Sequence, residues 1–277
     1  MPVIATNTAA NSALRYLNLN SSNESSSISK LASGSRINKA SDDAAGLAIG
    51  TRVQSDVTVL QQAATNASHG SSILQAADGG AARVADILQR MKSLTAQSLS
   101  GAVTDSERSY IDAEFQQLID EIDDIATGTR FNGQSLLDGT VASQSYFVGT
   151  DVSDVIDVDF GGLAAATGDF RATALGVDVG VDTAASAAGA MALIDTAIDT
   201  ISEARATAGA LISRFEFRGQ QIATSLENID AAKSAIMDVD LAAEQSKLVS
   251  NQVLVQAAVS AVSQANQIPQ SLLRVLQ

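Results

Sequence analysis

Cysteine and tryptophan are absent from the 277 residues, histidine occurs once, as His69, and proline twice, as Pro2 and Pro269. Without cysteine the chain has no disulfides, no thiolate zinc site and no thiol nucleophile. A lone histidine leaves almost nothing for imidazole chemistry, so most enzyme mechanisms lose a member. Aromatic residues make up only 4% of a chain that is 45% hydrophobic, so the core must be built from Ala, Val, Ile and Leu, which allow helices to pack closely. Basic residues are also scarce: 17 Lys plus Arg face 31 Asp plus Glu, a net charge of −14. Nucleic acid and anionic membrane surfaces are therefore not expected partners, because both are bound through clustered cations. The longest unbroken apolar run, residues 187–194, is far short of the roughly 20 residues of a membrane span. The first basic residue is Arg15, and residues 1–17 are interrupted by polar side chains, unlike a secretory signal peptide.

The charge is unevenly placed. Residues 104–124 hold eight acids and one base, and residues 151–182 hold seven Asp and only Arg171, so both chain ends are nearly neutral. The acidic middle reads as a solvated face that keeps the molecule soluble. Neutral ends suit segments crowded against copies of themselves, where like charges at short spacing would repel.

With no proline between Pro2 and Pro269, long helices are permitted. Val53, Val57, Leu60, Ala64, Ala67 and Leu74 step by fours and threes within a helix expected from Gly46 to about Leu99, which Ser41, Asp42 and Asp43 would cap. A second helix, capped by Thr104 or Asp105 and ending at Gly128, carries Ile111, Phe115, Leu118, Ile122 and Ile125. A third, from about Ala187 to Ala235, carries Ile194, Ile198, Ile201, Ala208, Ile212, Phe215 and Ile222. Between the second and third the period falls to two, as in Ile156 to Phe160, with turn signals at Asn132-Gly133, Asp138-Gly139 and Gly161-Gly162. The expected fold is mainly α, a long-helix coiled-coil bundle with a small β-hairpin region and terminal helices that pair on assembly.

The expected divisions are an N-terminal helix and linker over 1–45, core helices and hairpins over 46–160, a surface loop over 161–186, a third core helix over 187–236, and a C-terminal helix over 237–277. At the N-terminus the helical seam would be Ile4, Asn7, Asn11, Leu14, Asn18, Ser21, Ser25 and Ile28, too polar to hold alone. Near the other end Leu248, Gln252, Val255, Val259 and Val262 form a better seam with no local partner. An isolated helix is marginal in water, so both ends read as helices that order when something else buries them.

The run LASGSRINKASDDAAGLAI at residues 31–49 closely resembles the N-terminal signature of bacterial flagellins, and QANQIPQ at 264–270 followed by Leu272-Leu273 resembles their C-terminus. Phe131-Asn132-Gly133 matches a family turn and Leu88-Gln89-Arg90 a helix motif. Two departures stand out: Met237-Asp238-Val239-Asp240 replaces the usual Arg-x-x-Asp, and Val262-Ser263 replaces Leu-Ala. The resemblance implies a structural, non-enzymatic subunit of the extracellular flagellar filament used for swimming, in a short form without a separate outer domain. It implies self-association through an inner tube of terminal helices, to which Ile4, Leu14, Leu17, Ile28, Leu31, Leu248, Val255, Val259, Val262, Leu272 and Leu273 are assigned. It further implies export in unfolded form by a type III apparatus with a chaperone, and contact with the filament cap and hook-associated proteins. The alternatives are a hook-filament junction protein and a secreted helical adhesin or effector.

In some members the region of Leu88-Gln89-Arg90 is read by the innate immune receptor Toll-like receptor 5. The matching positions are Gln89, Arg90, Leu94 and Glu114, while Met91, Lys92 and Ser93 depart from the recognised pattern, which argues against recognition. The same mixed patch would suit lengthwise contact between subunits. No cofactor or metal is implied. His69 has no second ligand and reads as a surface residue, Asp151, Asp154, Asp157 and Asp159 lack the glycine and terminal glutamate of a calcium loop, and one histidine cannot make a His-Glu-x-x-His zinc motif.

Overall fold

The computed structural model describes residues 7–141, 143–160 and 169–275, with side chains through Gln267. The elements run in the order α1 (Thr8–Ser33), α2 (Ala44–Ser98), α3 (Asp105–Gly128), β1 (Arg130–Phe131), β2 (Gln134–Ser135), β3 (Ser143–Phe147), β4 (Val155–Asp159), α4 (Ala172–Leu175), α5 (Ala184–Met237) and α6 (Leu241–Val275). The three core helices begin and end within three residues of the expected positions. Two compact units result: a central unit of residues 58–227, and a terminal unit of residues 1–57 with 228–277.

In the central unit, stretches of α2 and α5 pack with α3. The inward stripe of α2 includes Leu60, Ala67, Leu74, Ala81, Leu88 and Met91, and that of α5 includes Ala190, Ile194, Ala197, Ile201, Ala208 and Phe215, all at most 5% exposed. Alanine at alternate layers lets the axes approach, and one glycine makes room for the largest side chain. A Cβ on Gly70 would lie 2.6 Å from the Phe215 ring, which also meets Tyr146 edge-on at 5.6 Å. By mean hydropathy, part of α5 is long and apolar enough to cross a membrane, although polar residues interrupt it. Its apolar stripe is taken up by this core. His69 lies exposed on α2.

A capping box starts α3: Thr104 accepts from the Glu107 backbone, and the Glu107 carboxylate accepts from Thr104 N at 2.8 Å. The same carboxylate also accepts from Thr104 Oγ1 at 2.9 Å, and the backbone bond, then this hydroxyl bond, hold the Glu107 carboxyl below its ordinary pKa. The β1–β2 hairpin turns through Asn132 and Gly133, whose φ of 49° and 82° are the left-handed pair expected of Asn-Gly. In β4, Ile156 and Val158 face inward and Asp157 and Asp159 outward, matching the period of two.

Of the expected surface loop over 161–186, residues 169–183 are instead a packed segment and 184–186 begin α5. Residues 161–168, which include the Gly161-Gly162 turn signal, lie outside the described residues. Residues 169–183 form a strap held along α3, with Phe170, Ala172, Val177 and Val181 fully buried. Two α3 acids hold it: Asp123 accepts from Ala172 N at 2.8 Å and Asp112 from Val181 N at 2.7 Å. Ser98 Oγ on α2 donates to Val181 O at 2.6 Å. Its Gly, Ala, Thr and Asp composition concealed this, because the apolar residues are spaced to fit a groove and follow neither helical nor strand period. The acidic stretch of α3 is thus only partly a solvated face.

Candidate assembly interface

In the terminal unit, α1 and α6 pair with each other, so the reading that each end lacks a partner of its own is corrected. Two contacts fix an antiparallel register: Asn7 Nδ2 donates to Ala265 O at 2.8 Å, and Ser27 hydrogen-bonds Glu244 twenty residues along. The buried or half-buried positions step by threes and fours: Ala10, Ala13, Leu17, Asn20, Glu24, Ser27 and Leu31 on α1, and Glu244, Leu248, Asn251, Val255, Ala258, Val262 and Ala265 on α6. Continuing the register by heptad arithmetic sets Leu17 level with Val255 and Ala10 level with Val262. The middle of the seam is polar, and of all these residues only Ser27, Glu244, Ala258 and Ala265 are fully buried.

The assigned residues divide on this geometry. Leu17, Leu31, Leu248, Val255 and Val262 lie on the intramolecular seam, whereas Leu14, Ile28 and Val259 face outward at 48–52% exposure. The predicted N-terminal seam was offset by one position, because polar residues on both faces gave it no contrast. Tyr16, Leu19, Leu241, Val249, Val253 and Leu254 are also exposed and were not assigned. Ile4 lies outside the described residues, as do the side chains of Leu272 and Leu273.

A clasp that periodicity could not reveal closes the unit beside this pair. After Gly34 ends α1 at φ 72°, Arg36 N donates to Met237 O at 2.7 Å and Val239 N to Gly34 O at 3.0 Å, around a Ser35–Asp238 bridge. Arg36 Nη2 reaches Ile236 O at 2.8 Å. Thus the signature run binds, through backbone groups, the segment where the chain departs from the usual Arg-x-x-Asp. Ser41-Asp42-Asp43 splits its work: Asp43 Oδ1 caps α2 by accepting from Gly46 N at 2.8 Å, while Asp42 accepts from Asn38 N and Lys39 N. Those two backbone bonds, Asn38 foremost, hold the Asp42 carboxyl below its ordinary pKa. Asp240 caps α6, accepting from Ala242 N and Ala243 N. Gly50 is tight because the Met237 thioether occupies the place of its missing Cβ.

Glu244 is 6% exposed, and the Ser27 hydroxyl, then Lys247 and Lys30, hold its carboxyl below its ordinary value against the opposing effect of burial. In the central unit, Arg90 pairs with Glu114 through Nε at 2.9 Å and Nη2 at 2.5 Å, with both side chains about half exposed. Gln89 is exposed beside them. Leu94, placed with them from sequence, is 2% exposed and belongs to the core, so it is corrected from a surface contact to a packing residue. No group of three or more His, Cys, Asp or Glu able to hold a metal occurs among the described residues.

Among the described residues the arrangement is a surface for packing, with no cluster of metal-binding side chains. The family model for the bacterial flagellin N-terminal helical region matches residues 4–142, and that for the C-terminal helical region matches residues 191–276. The chain belongs to the bacterial flagellins. It is 35% identical to the "Flagellar filament 30.7 kDa core protein" of Treponema maltophilum, over 99% of both chains, and 36% identical to a flagellin of Halalkalibacterium halodurans, again over 99% of both. A crystal structure of Bacillus cereus flagellin matches 61% of this chain and 94% of that one at 27% identity, with a TM-score of 0.49. The protein is a structural subunit of the extracellular flagellar filament, not an enzyme, and the match at near-equal length to these relatives agrees with a short form.

Proposed function

We propose that the terminal unit builds the inner tube of the filament. Leu14, Ile28 and Val259 would supply intersubunit contacts, and Leu17, Leu31, Leu248, Val255 and Val262 would hold the α1–α6 pair that presents them. Ile4, Leu272 and Leu273 would extend the same surface. One observation carries this reading: the pair leaves nine large apolar side chains exposed, four on α1 and five on α6. Half-covering each in an assembly is worth roughly 1 kcal/mol, so burial by neighbours gains on the order of 9 kcal/mol per subunit before ordering costs. The unit contains eight acidic and eight basic residues, so stacking copies meets little repulsion.

A pair with a polar seam is also one that opens readily. That suits passage in unfolded form through a type III export channel with a chaperone, then addition beneath a cap on a base of hook-associated proteins. The Arg90–Glu114 pair with Gln89 would lie at a lengthwise contact between subunits. Deleting residues 241–277 should leave a helical, soluble central unit that cannot elongate seeds. Normal filaments from that truncation would overturn the reading.

A further inference from the structure

The central unit carries all of the net charge: 23 acids against nine bases. Copies brought side by side repel through this unit unless something neutralises the carboxylates. Six of the nine bases are held in ion pairs: Arg90–Glu114, Lys92–Asp195, Arg108–Asp105, Arg171–Asp169, Arg205–Asp78 and Arg218–Asp154. Arg130 donates to Thr127 O. Among the described residues, Arg83 and Arg214 alone in this unit have neither a hydrogen bond nor an ion pair, and of these only Arg214 lies a helical turn from an exposed aromatic, Phe217, 71% exposed. The two line a shallow depression on α5 and β4 with Val155, Ile156, Arg218 and Gln221.

The outer face of α3 has the opposite character. Tyr110, 75% exposed, and Gln117, Glu121 and Asp124 follow one another at helical spacing, with Asp120 beside them. Asp120, Glu121 and Asp124 have no ion pair or hydrogen-bond partner for their carboxylates among the described residues, whereas Glu114 on the same face is taken by Arg90.

We infer that the Arg214–Phe217 depression of one subunit receives the Tyr110–Asp124 stripe of a second copy of this chain. The two surfaces are complementary, a free guanidinium with an exposed ring against free carboxylates with another, and they cannot meet within one molecule. The pairs Lys92–Asp195 and Arg205–Asp78 set α5 antiparallel to α2, and Arg90–Glu114 with Gly80 against Thr129 sets α3 beside α2. On that register the patches lie about 25 Å apart along the helices at 1.5 Å per residue. A contact between different patches on identical copies is heterologous and generates an open polymer. The two copies would be displaced lengthwise by that amount. This contact rests on the filament reading and adds a second, electrostatic joint carried by the central unit.

Seeded elongation of the full chain tests it. Arg214→Glu, and separately Glu121→Arg with Asp124→Arg, should each raise the critical concentration about tenfold, and combining all three should restore it to within about threefold. Unchanged elongation of the separate variants, or no recovery in the combination, overturns the contact while leaving the filament reading intact. Failure of the wild-type chain to elongate would remove both. Should a charge variant misfold by circular dichroism, a chain carrying Phe217→Cys and Gln117→Cys, otherwise free of cysteine, replaces it. Oxidised filaments should then give a ladder of linked subunits, and filaments that yield only monomer would contradict the proposal.

Discussion

The central unit buries Phe115, Phe160, Phe170 and Phe215 to within 1% of full burial and carries the whole charge of −14, whereas the described core of the terminal unit amounts to Ile37, Val57 and a few small or polar side chains, on a net charge of zero. The first is a fold that closes on itself and, away from the contacts proposed above, repels its copies. The second leaves its large apolar residues outside and has no net charge to keep copies apart. A subunit that must travel singly and then polymerise gains from this division, because solubility and apolar adhesion are assigned to different parts of the chain.

The sharpest way to break the comparison is to damage one unit and look for effects in the other. Phe215→Ala should cost the central unit about 3–5 kcal/mol, since the ring fills the space over Gly70 and supports Tyr146. A thermal melt followed by near-ultraviolet dichroism should show the loss. A ring that contributed nothing would leave the melt unmoved and place the core elsewhere.

The converse substitution acts on assembly alone. Leu14→Ser with Val253→Ser removes two outward side chains, 49% and 62% exposed, and should change monomer stability by less than about 0.5 kcal/mol. If neighbours cover those positions, the critical concentration for elongation rises by roughly tenfold or more, from about 1.5–2 kcal/mol of lost burial. Equal loss in the monomer would mean that these residues stabilise the free chain instead.

The smallest expected effect concerns pH. Glu244 has its pKa lowered in the folded chain, so its contribution is present above the unfolded carboxylate value and is lost as pH falls through the folded one. Glu244→Gln should therefore weaken the α1–α6 pair by about 1 kcal/mol at neutral pH and flatten its loss of stability in acid. Parallel acid titrations of the two proteins, followed by helicity, would show whether the curves converge.

Much of the central unit was legible because its helices repeat apolar residues at fixed steps, begin at Asp43 or Thr104, and meet no proline. The strap was not, since Phe170, Val177 and Val181 follow no period, and the segment is held by isolated bonds, Ala172 N to Asp123, Val181 N to Asp112 and Ser98 Oγ to Val181 O. The terminal unit was half legible. Leu248, Val255 and Val262 gave the α6 seam, but α1 presents Asn and Ser on most faces, so Leu14 and Ile28 were read as inward. The clasp uses backbone groups of Gly34, Arg36, Met237 and Val239, which leave no hydropathy trace, although the resemblance marked the right segment. Leu94 was misplaced because a motif gives positions without facing.

Hydrogen exchange on the dilute chain and on assembled filaments tests the central claim most directly. Amides of α1 and α6 should exchange far faster than the buried stretches of α2, α3 and α5 in the free chain, and become comparably protected on assembly. Equal, strong protection of all these helices in the unassembled chain would contradict the account.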